Sequence, residues 1–145
     1  KLICLLSDEG LSVLQFSKNQ IKRCKKLRFW LHRINNFGLE NLSEDERLQL
    51  HIDLEEDLPS LILFLKERYI NTWLERWRDP CDPLFHPSSP LDGHSLQKAL
   101  GIPSGPYIGE LMRHLAKEKA YGRFCTNKEA LDTARKWTLE NSPFL

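Results

Sequence analysis

Two groups of residues in this chain have the types and spacing that suit a phosphate-bearing partner. The first is Lys18, Lys22, Lys25, Lys26 and Arg33. Projected at about 100° per residue, they share one arc with Phe29, while Cys24, Leu27, Leu31 and Ile34 take the other. A row of ammonium and guanidinium groups neutralises phosphates and releases their counterions, which gives binding that ignores sequence. An aromatic ring among them offers a stacking surface for an unpaired base, worth about 1–3 kcal/mol. The plainer expectation is a solvated face whose cations pair with acids downstream. In that case the segment Leu2–Leu14 covers Phe29.

The second group is Gly101, Gly105-Pro106-Tyr107, Gly109, Arg113 and Lys117. Gly101 suits the left-handed residue that ends a helix. Gly105 can cap the next helix and Pro106 pre-sets the backbone angle at its first position. Gly109 leaves room for a close backbone approach. The unpaired N–H groups near Tyr107 and Ile108, with the helix dipole behind them, form a seat for phosphate. Arg113 and Lys117 follow on the same face. Read as a DNA-binding helix-turn-helix, Leu96–Leu115 offers Arg113, His114 and Lys117 too late, because bases are usually read from the N-terminal end.

Other chemistry is poorly supplied. Metal-dependent group transfer needs clustered carboxylates at a rigid position. Here Glu44, Asp45, Glu46, Asp53, Glu55, Glu56 and Asp57 fall on an expected helix and read as a solvated or salt-bridged face. His51-Ile-Asp53 is a lone dyad, and the other histidines (32, 86, 94, 114) are dispersed. The cysteines at 4, 24, 81 and 125 form no CxxC pair, so neither a zinc site nor a disulfide framework is expected. The expectation is a chain with no catalysis and no cofactor of its own, bearing reduced thiols in a cytoplasmic setting.

The elements that must position these groups are helical. Ser17-Lys-Asn-Gln20, Ser43-Glu-Asp-Glu46 and Thr126-Asn-Lys-Glu129 are capping boxes, in which a hydroxyl and an N3 side chain satisfy orphan amides reciprocally. They predict helices from about Lys18 to Asn36, from Glu44 to Asp57 and from Lys128 to Leu139. Pro59 opens another, expected to run to Arg78, with Tyr69, Trp73 and Trp77 as a packed aromatic row. Helices over Asp92–Leu100 and Pro106–Lys119 flank the glycine turn. Prolines at 80, 83, 87 and 90 exclude helix between. The expected fold is all-α: a helical body over residues 1–79, a Pro-rich linker over 80–91, and a small helix-turn-helix tail over 92–145.

Composition agrees. Hydrophobic residues make up 41% and charged residues 28% of 145, as in ordinary globular chains. No apolar run approaches the roughly 20 residues of a membrane helix. The net charge of +1 conceals asymmetry. Gly10–Leu39 holds seven basic residues and no acid, whereas Glu40–Ser60 holds eight acids and one base, Arg47. The chain opens on Lys1 without a signal-peptide pattern, and reads as an excised piece of something longer.

The stretch around the glycines carries a resemblance. Leu91-Asp-Gly93, Leu100-Gly101-Ile102, Gly105-Pro106, Ile108-Gly109, Leu111, Gly122 and Thr126-Asn-Lys-Glu129-Ala130-Leu131 stand in the order of a tail motif. The motif is that of bacterial-type (class II) CCA-adding tRNA nucleotidyltransferases and related poly(A) polymerases. Leu14-Gln-Phe-Ser17-Lys-Asn-Gln-Ile21 resembles the opening of a body helix in the same family. Ser104 and Tyr107 depart from the residues usual there, and the proline stretch is longer. The resemblance implies a template-independent nucleotidyltransferase whose N-terminal catalytic head, with Mg2+ and a carboxylate site, is absent from this chain. It implies that body and tail hold the acceptor and T arms of tRNA by shape and phosphate, with oligomerisation possible. The competing expectation is a helical protein-interaction or dimerisation module using the acidic and aromatic helices.

Overall fold

The structure is a computed structural model that describes residues 5–141. Every regular element among the described residues is helical and none is a strand. The chain divides into two units, residues 1–86 and 87–145. Cys4, named above with the other cysteines, lies outside the described residues.

The first unit contains α1 (Asp8–Val13), α2 (Lys18–Phe37), α3 (Glu44–Leu54), α4 (Leu58–Ile62) and α5 (Glu67–Arg78). Both expected capping boxes form here. Ser17 N–H donates to Gln20 Oε1 at 2.9 Å while Gln20 N–H donates to Ser17 Oγ at 3.2 Å. Ser43 and Glu46 repeat the pattern at 2.9 and 3.2 Å. Gly38, at φ 84°, ends α2 and donates to the Ile34 carbonyl. The core gathers Leu27, Trp30 and Leu31 from α2, Leu48 and Leu54 from α3, and Leu58, Leu61 and Ile62 from α4. Burying each leucine contributes about 1.5–3 kcal/mol.

Three sequence expectations change. The second helix stops at Leu54 instead of Asp57. Glu55 adopts φ 38°, a strained value for a residue with a Cβ, and starts a single 3₁₀ turn. Trp77 Nε1 donates to the Glu55 carbonyl at 3.3 Å and fastens that turn. The helix expected from Pro59 to Arg78 is two helices, broken over residues 63–66. Five consecutive apolar side chains, Leu61 to Leu65, cannot share one side of a helix. The break buries Leu61, Ile62 and Leu65 and leaves Leu63 and Phe64 outside. Finally, α1 precedes the first expected helix, capped by Ser7, whose hydroxyl accepts from the Gly10 N–H.

In α5 the aromatic row packs without full burial. Trp73 meets Phe85 edge-on at 5.2 Å and His51 at 5.5 Å. The Tyr69 hydroxyl donates to the Glu40 carboxylate, which Arg68 also contacts. With the Tyr69 hydroxyl as the main cause, the Glu40 carboxyl is lowered to about 2. Between Asp79 and Asp92 no helix forms, as the prolines require. Leu84 and Phe85 in that stretch are buried.

The second unit contains α6 (Gly93–Leu100), α7 (Pro106–Ala120) and α8 (Asn127–Asn141). Its core is Leu96, Leu111, Leu115, Phe124, Ala130 and Ala134. Asp92 caps α6, accepting from the Ser95 N–H at 2.9 Å, and that bond holds its carboxyl below the ordinary value. The third capping box opens α8: Glu129 N–H donates to Thr126 Oγ1 at 3.2 Å, and Thr126 N–H to Glu129 Oε2 at 3.1 Å. Gly93 sits where an added Cβ would come within 3.1 Å of Ile108 Cγ2, so α6 and α7 approach through a glycine.

Candidate nucleic-acid interface

Helix α2 sorts its cations into two sets. Arg23 forms a two-pronged pair with Asp57, its Nε at 2.8 Å from Oδ2. Lys26 Nζ lies 3.5 Å from an Asp53 oxygen and donates to the Asp53 carbonyl at 3.1 Å. Arg28 pairs with Asp8 of α1. Arg33 contacts Glu46 at 2.8 Å and lies over the Phe37 ring at 4.2 Å. Of the expected phosphate-binding set, Lys26 and Arg33 are therefore already engaged by carboxylates of α3. Lys18, Lys22 and Lys25 are exposed, and among the described residues none of them has an ion-pair partner.

Phe29 is 59% exposed, so the described part of the expected cover, residues 5–14, does not bury it; Leu2–Cys4 of that cover lie outside the described residues. Its ring stands edge-on to buried Trp30 at 5.1 Å. Trp30 is anchored in turn by Nε1 donating to Asp53 Oδ2 at 3.1 Å. Lys18, Lys22, Lys25, Phe29 and His32 follow one another at alternating steps of four and three, which is one helical face. His32 was not singled out in the sequence, although its place at the end of that series marks it.

The turn between α6 and α7 lies on the surface. Gly101 takes the left-handed conformation at φ 68°, ψ 27° and donates to the Gln97 carbonyl at 2.8 Å. Gly105, at φ 156°, ψ −175°, occupies a region that is essentially glycine's alone. Pro106 is the first residue of α7, and Ile108 N–H donates to the Gly105 carbonyl at 3.1 Å. Gly109 is exposed, and a Cβ there would meet nothing within 4 Å among the described residues of its own unit, so the close approach expected at Gly109 is not made there. Arg113 is exposed and Lys117 half-buried, one and two turns on; Glu110 shares the exposed side.

Tyr107 is half-buried rather than aimed outward. Its ring lies 5.0 Å from Trp137 of α8, and its hydroxyl donates to the Thr138 carbonyl at 3.5 Å. His114 stacks on the same Trp137 at 5.7 Å. The sequence reading missed this trio. The seven-residue step from Tyr107 to His114, two turns on one face, was the signal that could have found it.

The dyad His51-Ile-Asp53 is not assembled. His51 is buried against Phe85 at 4.2 Å, and burial pushes its imidazole down to about 3. Asp53 instead serves Trp30, Lys26 and Gln49. Among the described residues no group of three or more His, Cys, Asp or Glu could hold a metal ion. No helix there is long and apolar enough to cross a membrane. Comparison with protein-family models, with curated proteins and with solved structures finds no match for this chain.

Proposed function

We propose that this chain is the RNA-holding, C-terminal part of a template-independent tRNA nucleotidyltransferase, with the turn between α6 and α7 as its seat for a ribose-phosphate backbone. The observation that carries this reading is Gly109. Glycine inside a helix costs about 0.5–1 kcal/mol relative to alanine. Here an added Cβ would meet nothing within 4 Å among the described residues of its unit. A backbone approaching from outside accounts for it. The exposed first turn of α7 supplies amides and the positive end of the helix dipole, and Arg113 and Lys117 extend the seat along the helix. In this reading residues 80–91 act as a Pro-rich linker, and α6–α7 form the helix-turn-helix tail of the CCA-adding family. The nucleotide chemistry belongs to a separate head with its own Mg2+.

The test is a tRNA gel shift across salt concentrations. Gly109→Leu should weaken binding about tenfold while leaving the helix content unchanged. Arg113→Glu/Lys117→Glu should weaken it further and flatten the salt dependence by about one unit of slope for each phosphate no longer neutralised. Absence of tRNA affinity at low salt, or nucleotide incorporation by this chain alone, would sink the reading.

A second reading, a protein-docking module, draws on Val13 and Leu14, which are 81% and 57% exposed at the end of α1. A tight dimer in light scattering, together with indifference to RNA, would favour it.

A further inference from the structure

We propose that the α2 face bearing Lys18, Lys22, Lys25, Phe29 and His32 is a track for single-stranded RNA, with Phe29 as the platform for one unpaired base. The choice of RNA rests on the function proposed above, but the track is argued from the first unit alone.

Charge is the first argument. Every cation that α2 turns toward α1, α3 or the turn at Glu55–Asp57 is matched to a carboxylate: Arg23 to Asp57, Lys26 to Asp53, Arg28 to Asp8 and Arg33 to Glu46. What is left unneutralised is concentrated on one face, as Lys18, Lys22 and Lys25. Lys22 also lines a cleft of about 390 Å³ with four acids, Asp53, Glu55, Glu56 and Asp57; Asp53 and Asp57 are held by Lys26 and Arg23, and none of the four forms an ion pair with Lys22. The stripe itself contains no acid.

Position is the second. The first turn of α2 contains no acidic residue, and Lys18 is its first helical residue. The N-terminus of a helix carries partial positive charge, so cations there are unfavourable for the fold. The neighbouring helices follow the rule, with Asp8 and Glu9 opening α1 and Glu44, Asp45 and Glu46 opening α3. A local rule broken in one helix and kept in its neighbours marks a place shaped for something other than stability. An anionic chain lying along this end of α2 would meet the lysines and the dipole together.

Phe29 is the third. An exposed phenylalanine means little alone, but this one follows three free lysines on the same face and is held in place. Its ring rests edge-on against Trp30, and the Trp30 indole is fixed by its bond to Asp53. A pre-oriented ring loses little freedom on stacking. Successive stripe residues rise by about 5 Å along the axis, so cations and ring can follow one extended strand. A paired base keeps its face inside its own stack, which is why the platform selects an unpaired one.

The experiment uses the full chain and an end-labelled oligoadenylate, with its duplex against oligouridylate for comparison. The single strand should bind more tightly than the duplex. Phe29→Ala should weaken single-strand binding about tenfold, and Phe29→Trp should retain it. Lys22→Gln/Lys25→Gln should flatten the salt dependence by roughly 0.7 of a unit per lysine, the value for a single strand. Circular dichroism should show all three variants folded, since the altered side chains are exposed. Unchanged oligoadenylate affinity in Phe29→Ala overturns the track, and so does tighter binding of the duplex. A dimer in light scattering that Phe29→Ala dissociates overturns it too, and assigns the face to self-association. If tRNA binding at the α6–α7 turn fails while these results hold, only the tRNA reading falls.

Discussion

Helices α2 and α7 both present cations to solvent, and they do so under opposite electrostatic conditions. On α2 the unpaired lysines begin at the first helical residue, Lys18, where the helix dipole opposes a cation. On α7 Lys117 and Lys119 stand in the last turn, where the dipole favours them. What α7 offers at its N-terminal end is backbone instead: Gly105 in a glycine-only conformation, Pro106, and Gly109 with open space above it. Thus, under the two proposals, α2 would meet a polyanion with side chains, at a cost to the fold, whereas α7 would meet it with main-chain shape. The difference separates what a charge substitution tests from what a volume substitution tests.

The largest effect should come from removing what holds the α7 turn in place. Leu111 is fully buried between α6, α7 and α8. Leu111→Ala should cost about 2–5 kcal/mol, read as a fall in the unfolding midpoint, and RNA binding through the turn should fall with it. A loss below about 1 kcal/mol would show that the turn does not depend on this core.

The next effect distinguishes the units by pH. Burial holds the His51 imidazole neutral, lowered from 6.5 to about 3. The unfolded chain therefore binds the extra proton first. Stability from this group is complete above pH 6.5 and is lost as pH falls toward 3. By pH 5 the loss should reach about 2 kcal/mol, still above the range where the carboxylates titrate. His51→Phe should abolish the slope between pH 7 and 5 in denaturant titrations. A slope that persists in the variant would place the acid sensitivity elsewhere.

The smallest effect is the sharpest for the comparison. Lys18→Glu should raise stability by about 0.3–1 kcal/mol, because it corrects the charge at the start of α2. The same change should weaken binding of single-stranded RNA. Unchanged or lower stability would mean that the dipole argument at α2 is wrong.

Much of the fold was legible in the residues. Ser17, Ser43 and Thr126 fixed three helix starts, and Gly101 marked a helix end. The failures were equally specific. The length of the helix begun at Pro59 was misjudged, because the apolar run Leu61–Leu65 matches a helix by composition and conflicts with it by burial. Phe29 was assigned a cover that residues 5–14 do not give it. In the site, the α6–α7 turn could be read from glycine and proline alone, while of the Tyr107–Trp137–His114 contact only the shared face of Tyr107 and His114 was legible, since Trp137 comes from α8.

By itself, then, the sequence determined the local grammar: caps, helix ends, the glycine turn and the neighbouring blocks of basic and acidic residues. These rest on interactions that reach three or four residues along the chain. Which cations remain free was decided by the tertiary structure. The pair Arg23–Asp57 spans 34 residues and Arg28–Asp8 spans 20. Only packing brings such partners together, and only packing left Lys18, Lys22, Lys25 and Phe29 facing outward on one side of α2.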